Sequence, residues 1–288
     1  MTRWTATAIV CAAVACGHAH GQQTRDETVA ALIEDLRDDD VRWNADRAMD
    51  ALVRMRPAPV AALEAVLDSE DWQQRQLACQ VLWRLYDGRY YPSREAGAPP
   101  ENPNGVELSD RLLEVSVEAL RDDEMPYGPR GNAMLHNAKW CYFRLVTHAE
   151  RAKAHLRRGL SSDDPQQRLL CALALGNGGV SECVDEVLPI LLPHLEDNDI
   201  EKDACWCVRA IYRMGDAALV ALVRAREVAT DRQQRDLLEL LILNLSGPPE
   251  TRRELEARRR LNTITDTVHD PTLDGPRGGV WWLDQLRR

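Results

Sequence analysis

The sequence is poor in aromatics, in lysine and in long apolar runs, and each shortage excludes a class of protein. Its 288 residues include one Phe, Phe143, and three Lys: Lys139, Lys153 and Lys202. Acidic residues outnumber basic ones 46 to 36, for a net charge of −10 with His neutral. A general nucleic-acid binder needs surplus cations to replace the counterions around phosphate, so this balance argues against one. No run of about 20 apolar residues occurs, which excludes a polytopic membrane protein. The 44% hydrophobic content excludes a disordered chain. Alternating apolar and polar runs of useful length are missing too, so strands are not expected.

Motifs that carry chemistry are equally scarce. There is no Gly-x-Ser-x-Gly or Ser-x-x-Lys for a nucleophile, and no His-Glu-x-x-His or Cys-x-x-Cys for zinc. The turn Gly275-Pro276-Arg277-Gly278-Gly279 lacks the Lys-Ser/Thr of a phosphate loop. The acidic turns at Asp38-Asp39-Asp40, Asp122-Asp123-Glu124 and Glu196-Asp197 lack the ligand order of a calcium loop and suit helix caps. No catalytic residue, metal or cofactor is expected.

What is present begins with an address. Residues 1–21 carry Arg3, an apolar small-residue run from Thr5 to Ala15, and no acid before Asp26. The run is too short for a bilayer span and fits the apolar region of a signal peptide. Two processing sites compete. Ala19-His20-Gly21 gives a free chain from Gln22. Ala13-Val14-Ala15-Cys16 resembles the lipobox of bacterial lipoproteins and makes Cys16 a lipidation candidate, which would tether the chain to a membrane.

The remainder is repetitive. An acidic turn followed by a helix with Arg, small residues and Leu recurs at 36–55, 67–85, 120–145, 162–179, 195–215 and 229–247, anchored on Asp40, Asp71, Glu124, Asp164, Asp199 and Asp231. The steps between most anchors suit one helix–turn–helix unit. Asp at the turn caps the helix, and Pro165 suits the first helical position. Ala45, Ala48, Ala51 and Leu52 form an apolar stripe, as do Leu170, Cys171, Leu173 and Ala174. Gly176 and Gly215 suit the left-handed residue that ends a helix. Second helices are expected at Pro59–Leu67, Ser109–Leu120, Ala149–Leu160, Asp185–Leu195 and Asp216–Val228. The fold class is all-α.

The stretches 162–179 and 207–225, with Asp164 and Arg168, and Asp71 and Arg75, in an Asp-x-x-x-Arg pattern, resemble HEAT repeats of the HEAT-like, lyase-associated form. Asp40 with Arg42 and Asp199 with Lys202 depart from the pattern. The resemblance implies an α-solenoid of about five to six repeats over residues 26–261, in which each repeat packs on its neighbours and the ends need polar caps. The helix at 251–261 is polar enough for one. Residues 262–288 then form a C-terminal extension and cap. Pro- and Gly-rich insertions at 87–107 and 122–131 interrupt the array.

Function is less legible. Tyr90, Tyr91, Arg94 and Tyr127 lie in the insertions, where aromatics beside arginines make good anchors for a protein partner. Trp281 and Trp282 suit a seal on the last repeat, while Trp43, Trp72, Trp83, Trp140 and Trp206 fall in helices and suit packing. Of the eight cysteines, Cys79, Cys171, Cys205 and Cys207 occupy small-residue positions and are expected to behave as buried hydrophobes; Cys171 with Cys205 or Cys207 is the best-placed pair for a bridge. The expectation is an exported scaffold or binding module of the bacterial cell envelope with a protein partner. A HEAT-like lyase acting on a small molecule or chromophore, with His136, Lys139, Cys141 and Tyr142 as its material, is the rival, and a structural spacer is the third alternative.

Overall fold

The computed structural model describes residues 23–37, 44–87, 105–121, 137–196 and 203–246. The described residues are helices joined by turns, with no strand among them, so the all-α class holds. They fall into two compact units.

The first unit contains α1 (residues 23–34), α2 (Asp46–Arg54), α3 (Val60–Val66), α4 (Trp72–Asp87) and the start of α5 (Asp110–Glu118). A 3-10 turn, Asp35–Arg37, closes α1. Helix α4 packs on α2, on α3 and on that turn. It buries Leu77, Ala78, Val81, Leu82, Trp83 and Leu85, which makes it the spine of this unit. A fully buried Leu of this kind contributes about 2 kcal/mol through area removed from water. Arg84 reaches from α4 to Asp50 on α2 at 2.6 Å.

The second unit contains the end of α5, the turn Ala119–Arg121, α6 (Asn137–Thr147), α7 (Ala149–Gly159), α8 (Pro165–Asn177), α9 (Val184–Leu191), α10 (Asp203–Arg213), α11 (Leu219–Val228) and α12 (Arg232–Leu245). Helix α8 is its centre and packs on α6, α7, α9 and α10. Helix α12 packs on α10 and α11. All the expected second helices are present, as α3, α5, α7, α9 and α11.

Three helices start with one device. Asp71, Asp164 and Asp231 open α4, α8 and α12, and each accepts the N–H three residues on, from Gln74 at 2.8 Å, Gln167 at 2.7 Å and Gln234 at 2.8 Å. That satisfies one of the orphan donors of a helix start. The full pattern is Asp-x-Gln-Gln-Arg, at 71–75, 164–168 and 231–235. Each buried Gln turns its amide onto a carbonyl near the end of an earlier helical segment: Gln74 onto Ile33, Gln167 onto Val117 and Gln234 onto Leu192. The preceding Gln takes the carbonyl three residues further along, at Leu36, Leu120 and Leu195. Those carbonyls lie in or beside the 3-10 turns at Asp35–Arg37, Ala119–Arg121 and Leu192–Leu195. A helix end leaves its last carbonyls without intrahelical donors, and the Gln pair supplies them. The Arg folds back onto the turn's own carbonyls, at Ser69 and Glu70, at Ser162 and Asp163, and at Ala229 and Thr230. One five-residue motif therefore caps its own helix, caps another and ties the turn.

Two local expectations need correction. Gly176 does not end α8; it lies inside the helix, and Gly179, with φ 75°, takes the left-handed position. Gly176 instead makes room, since a Cβ there would sit 2.7 Å from the Cβ of Ala210 on α10. Trp72 is 40% exposed at the start of α4 rather than packed. By contrast Gly215 does end its helix with φ 67°, and Trp83 is wholly buried. Cys79, Cys141, Cys171, Cys183 and Cys207 are buried and form no disulfide, so the small-hydrophobe expectation holds at Cys79, Cys171 and Cys207, and the bridge from Cys171 to Cys207 is not formed.

Candidate functional site

The expected binding residues Tyr90, Tyr91, Arg94 and Tyr127, and the lipidation candidate Cys16, lie outside the described residues. So do the signal segment 1–21, the insertion at 122–131, most of that at 87–107, the polar helix at 251–261 and the extension at 262–288. Of the rival set on α6, His136 and the side chain of Lys139 are outside as well. Cys141 and Tyr142 are described, and both are buried.

Tyr142 belongs to a cluster that spans α6, α8 and α10. The close approach of α8 and α10 at Gly176 and Ala210 sets its geometry. It brings the carbonyl of Asn177, the last residue of α8, to 2.9 Å from Nη1 of Arg213 on α10. The same Asn177 donates from Nδ2 to the Tyr142 hydroxyl at 2.9 Å. Asn177 thus links all three helices. Its Oδ1 is buried with no hydrogen-bond partner.

Rings complete the cluster. Tyr142 meets Trp206 edge to face at 6.0 Å, and Phe143 meets Trp206 at 6.2 Å. Both distances suit the quadrupole preference of aromatic pairs. Trp206 and Phe143 are half-buried. Arg209 and Arg213 stand one helical turn apart on α10; Arg209 is buried and Arg213 exposed.

The electrostatics favour binding over proton transfer. Burial raises the Tyr142 phenol well above its usual range, against a smaller opposing pull from Arg209. Such a phenol stays protonated while its oxygen accepts from Asn177, and it cannot serve as a base near neutral pH. Burial and then the neighbouring Arg213 hold the Arg209 guanidinium below its usual range. Nearby, Arg144 is wholly buried with its guanidinium 5.0 Å from the centre of the Trp140 ring, a cation–π contact. Burial, and then Arg144, push the His148 imidazole down to about 4. Burial alone pushes the Cys171 thiol up to about 12, far from the range of a reactive cysteine.

Among the described residues no group of three or more His, Cys, Asp or Glu side chains is placed to hold a metal ion. No described helix is long and apolar enough to cross a membrane.

Trp206 reads as a packing residue in the sequence, and nothing there singles out Asn177, Arg209 or Arg213 one by one. A signal was available. Trp206, Arg209 and Arg213 are spaced three and four apart, which puts them along one face of a helix. No protein-family model matches the sequence, and no curated protein matches it.

Proposed function

We propose that the protein is a binding module: an exported α-solenoid of five to six HEAT-like repeats that holds a protein partner in the cell envelope. One observation carries the binding role. The face of α6, α8 and α10 joins partly exposed Trp206 and Phe143 to the exposed Arg213, and Trp and Arg are enriched among residues that dominate binding energy. The repeat architecture is supported by the Asp-x-Gln-Gln-Arg junction, which recurs three times and each time ties a helix start to an earlier segment. Export is supported by residues 1–21, through cleavage after Gly21 or lipidation at Cys16. The lyase alternative loses support because Cys141 and Tyr142 are buried and the phenol stays protonated.

In-cell crosslinking of the full-length protein, followed by purification of the adducts, tests this. One dominant protein partner is expected from the wild type. Its loss from Tyr90→Ala/Tyr91→Ala, or from Trp206→Ser, assigns the surface. If neither the wild type nor any variant enriches a protein, the binding-module proposal is wrong. Membrane association that survives Cys16→Ser would remove the lipid anchor.

A further inference from the structure

We propose that the apolar run Val280-Trp281-Trp282-Leu283 docks on the outer side of α11 in the same chain and covers Val220, Val223 and Val228. A seal formed within one chain needs no partner, so it goes beyond the binding-module proposal and stands or falls apart from it.

The strip itself is the first argument. Val220 is 64% exposed, Val223 42% and Val228 78%. Among the described residues Trp72 is the one other exposed large apolar side chain. Val223 lies one turn from Val220 and Val228 two turns from it, so the three share one side of α11, away from the buried Leu222. The second helices before α11 differ. Helix α7 carries Arg151 and Arg158 on its exposed side, and α9 carries Asp185 and Glu186. A helix side that stays in water carries charge in this way, whereas a row of exposed valines on one helix suits a cover.

Reach and composition name the occupant. Helix α12 packs on α11, so the chain beyond Leu245 departs from a neighbour of the strip. Residues 247–279 separate α12 from Val280. Even at the 1.5 Å rise per residue of a helix they span about 50 Å, against about 15 Å for the length of α11. Beyond α12, Val280-Trp281-Trp282-Leu283 is the one run of four apolar residues, and the helix expected at 251–261 has no two of them adjacent. Two indoles bring the largest apolar area a short segment can carry. A tethered segment also loses little translational freedom on docking. A second copy of the chain loses it in full, and a strip about 15 Å by 10 Å is far below the roughly 800 Å² per partner of a stable interface.

The test uses the whole chain and two measurements. Carbene footprinting with mass spectrometry reads the exposure of each helix. Labelling of α11 is expected to rise at least threefold in Trp281→Ser/Trp282→Ser, while labelling of α7 is unchanged. Equal labelling of α11 in wild type and variant would overturn the proposal. So would protection of α11 that grows with protein concentration, since that places a second copy on the strip. Disulfide trapping decides the case in which the variant loses its fold and α7 is labelled too. Val223→Cys/Leu283→Cys keeps both tryptophans and is expected to form an intramolecular disulfide under mild oxidant in more than half of the chains, identified by mass spectrometry of the bridged peptide. Asp185→Cys/Leu283→Cys, with its thiol at an exposed position on α9, is expected to bridge in less than a tenth. Equal bridging by the two pairs, or none by either, would overturn the proposal.

Discussion

Gln167 offers the sharpest test of how these helices are joined. Its Nε2 donates to the Val117 carbonyl at 2.7 Å, and its Oε1 accepts from Nε of Arg121 at 2.7 Å. The side chain is 4% exposed and Val117 is 6% exposed, so water cannot replace the lost donor. Gln167→Leu keeps the approximate volume and removes both bonds. Arg121 is half-exposed and can turn to solvent. The Val117 carbonyl cannot, and an orphaned buried acceptor costs about 1–3 kcal/mol. Loss of the amide's own desolvation offsets part of this, so a net destabilisation of about 1–2 kcal/mol is expected. Urea denaturation of the wild type and variant reads that as a lower midpoint with an unchanged slope. The other two junctions serve as internal standards. Gln74 makes a 2.9 Å bond to Ile33 and accepts from Ser69 at 2.7 Å, while Gln234 makes one longer bond of 3.1 Å to Leu192. The costs should therefore fall in the order Gln167, Gln74, Gln234. A second arm uses Gln167→Glu, which keeps the acceptor for Arg121 and removes the donor to Val117. At neutral pH a carboxylate then faces a carbonyl, and the variant should be less stable than Gln167→Leu. Below its own titration the protonated carboxyl donates again, so stability relative to wild type should recover with acid. A Gln167→Leu variant as stable as wild type, or a Gln167→Glu variant whose deficit ignores pH, would refute the account of the junction.

Four further outcomes follow from particular contacts. Gly176→Ala forces its new methyl against Ala210, an overpacking cost of about 1–3 kcal/mol set against a helix-propensity gain of up to about 1 kcal/mol; Gly176→Ala/Ala210→Gly should be more stable than the two single changes added together, and strict additivity in thermal melts would show that the helices do not meet there. His148 is neutral when folded down to about pH 4 and takes a proton near 6.5 when unfolded, so the unfolded state binds more protons between those values and stability falls as pH drops from about 6.5 to about 4. The loss is on the order of 3 kcal/mol, and His148→Gln should flatten that part of the profile; an unchanged profile would place the acid sensitivity elsewhere. Cys171 should resist a thiol reagent at pH 8 until denaturant is added, and prompt labelling of the native protein at Cys171 would contradict its burial. Tyr142 should ionise well above the usual range of a phenol in an ultraviolet pH titration, with Tyr142→Phe removing that late component; the same late component in the variant would contradict its assignment.

The contrast between what was legible in the sequence and what was not has a physical basis. Helices repeat a local cause, and Asp164 followed by Pro165 announces a helix start because capping and φ restriction act within a few residues. The second helices were likewise readable from their apolar spacing. The Gln pairs were not, although they stand next to the Asp and Arg that drew attention. A Gln in the first turn of a helix reads as solvated decoration unless the chain some 40 residues earlier is known to bring carbonyls against it. Gly176 failed for the same reason. A glycine near a helix end suggests a left-handed residue, and only the packing of α10 reveals that the missing side chain serves a close approach three residues before the left-handed Gly179. The cluster of Tyr142, Asn177, Trp206, Arg209 and Arg213 extends this logic. Its members lie on three helices, and each alone is explained by packing or by exposure. What unites them is the Gly176 contact, which sets the spacing of α8 and α10 and so decides whether Asn177 can touch both Tyr142 and Arg213. Widening that spacing with Gly176→Ala should therefore loosen the Arg213–Asn177 bond without altering any residue of the cluster.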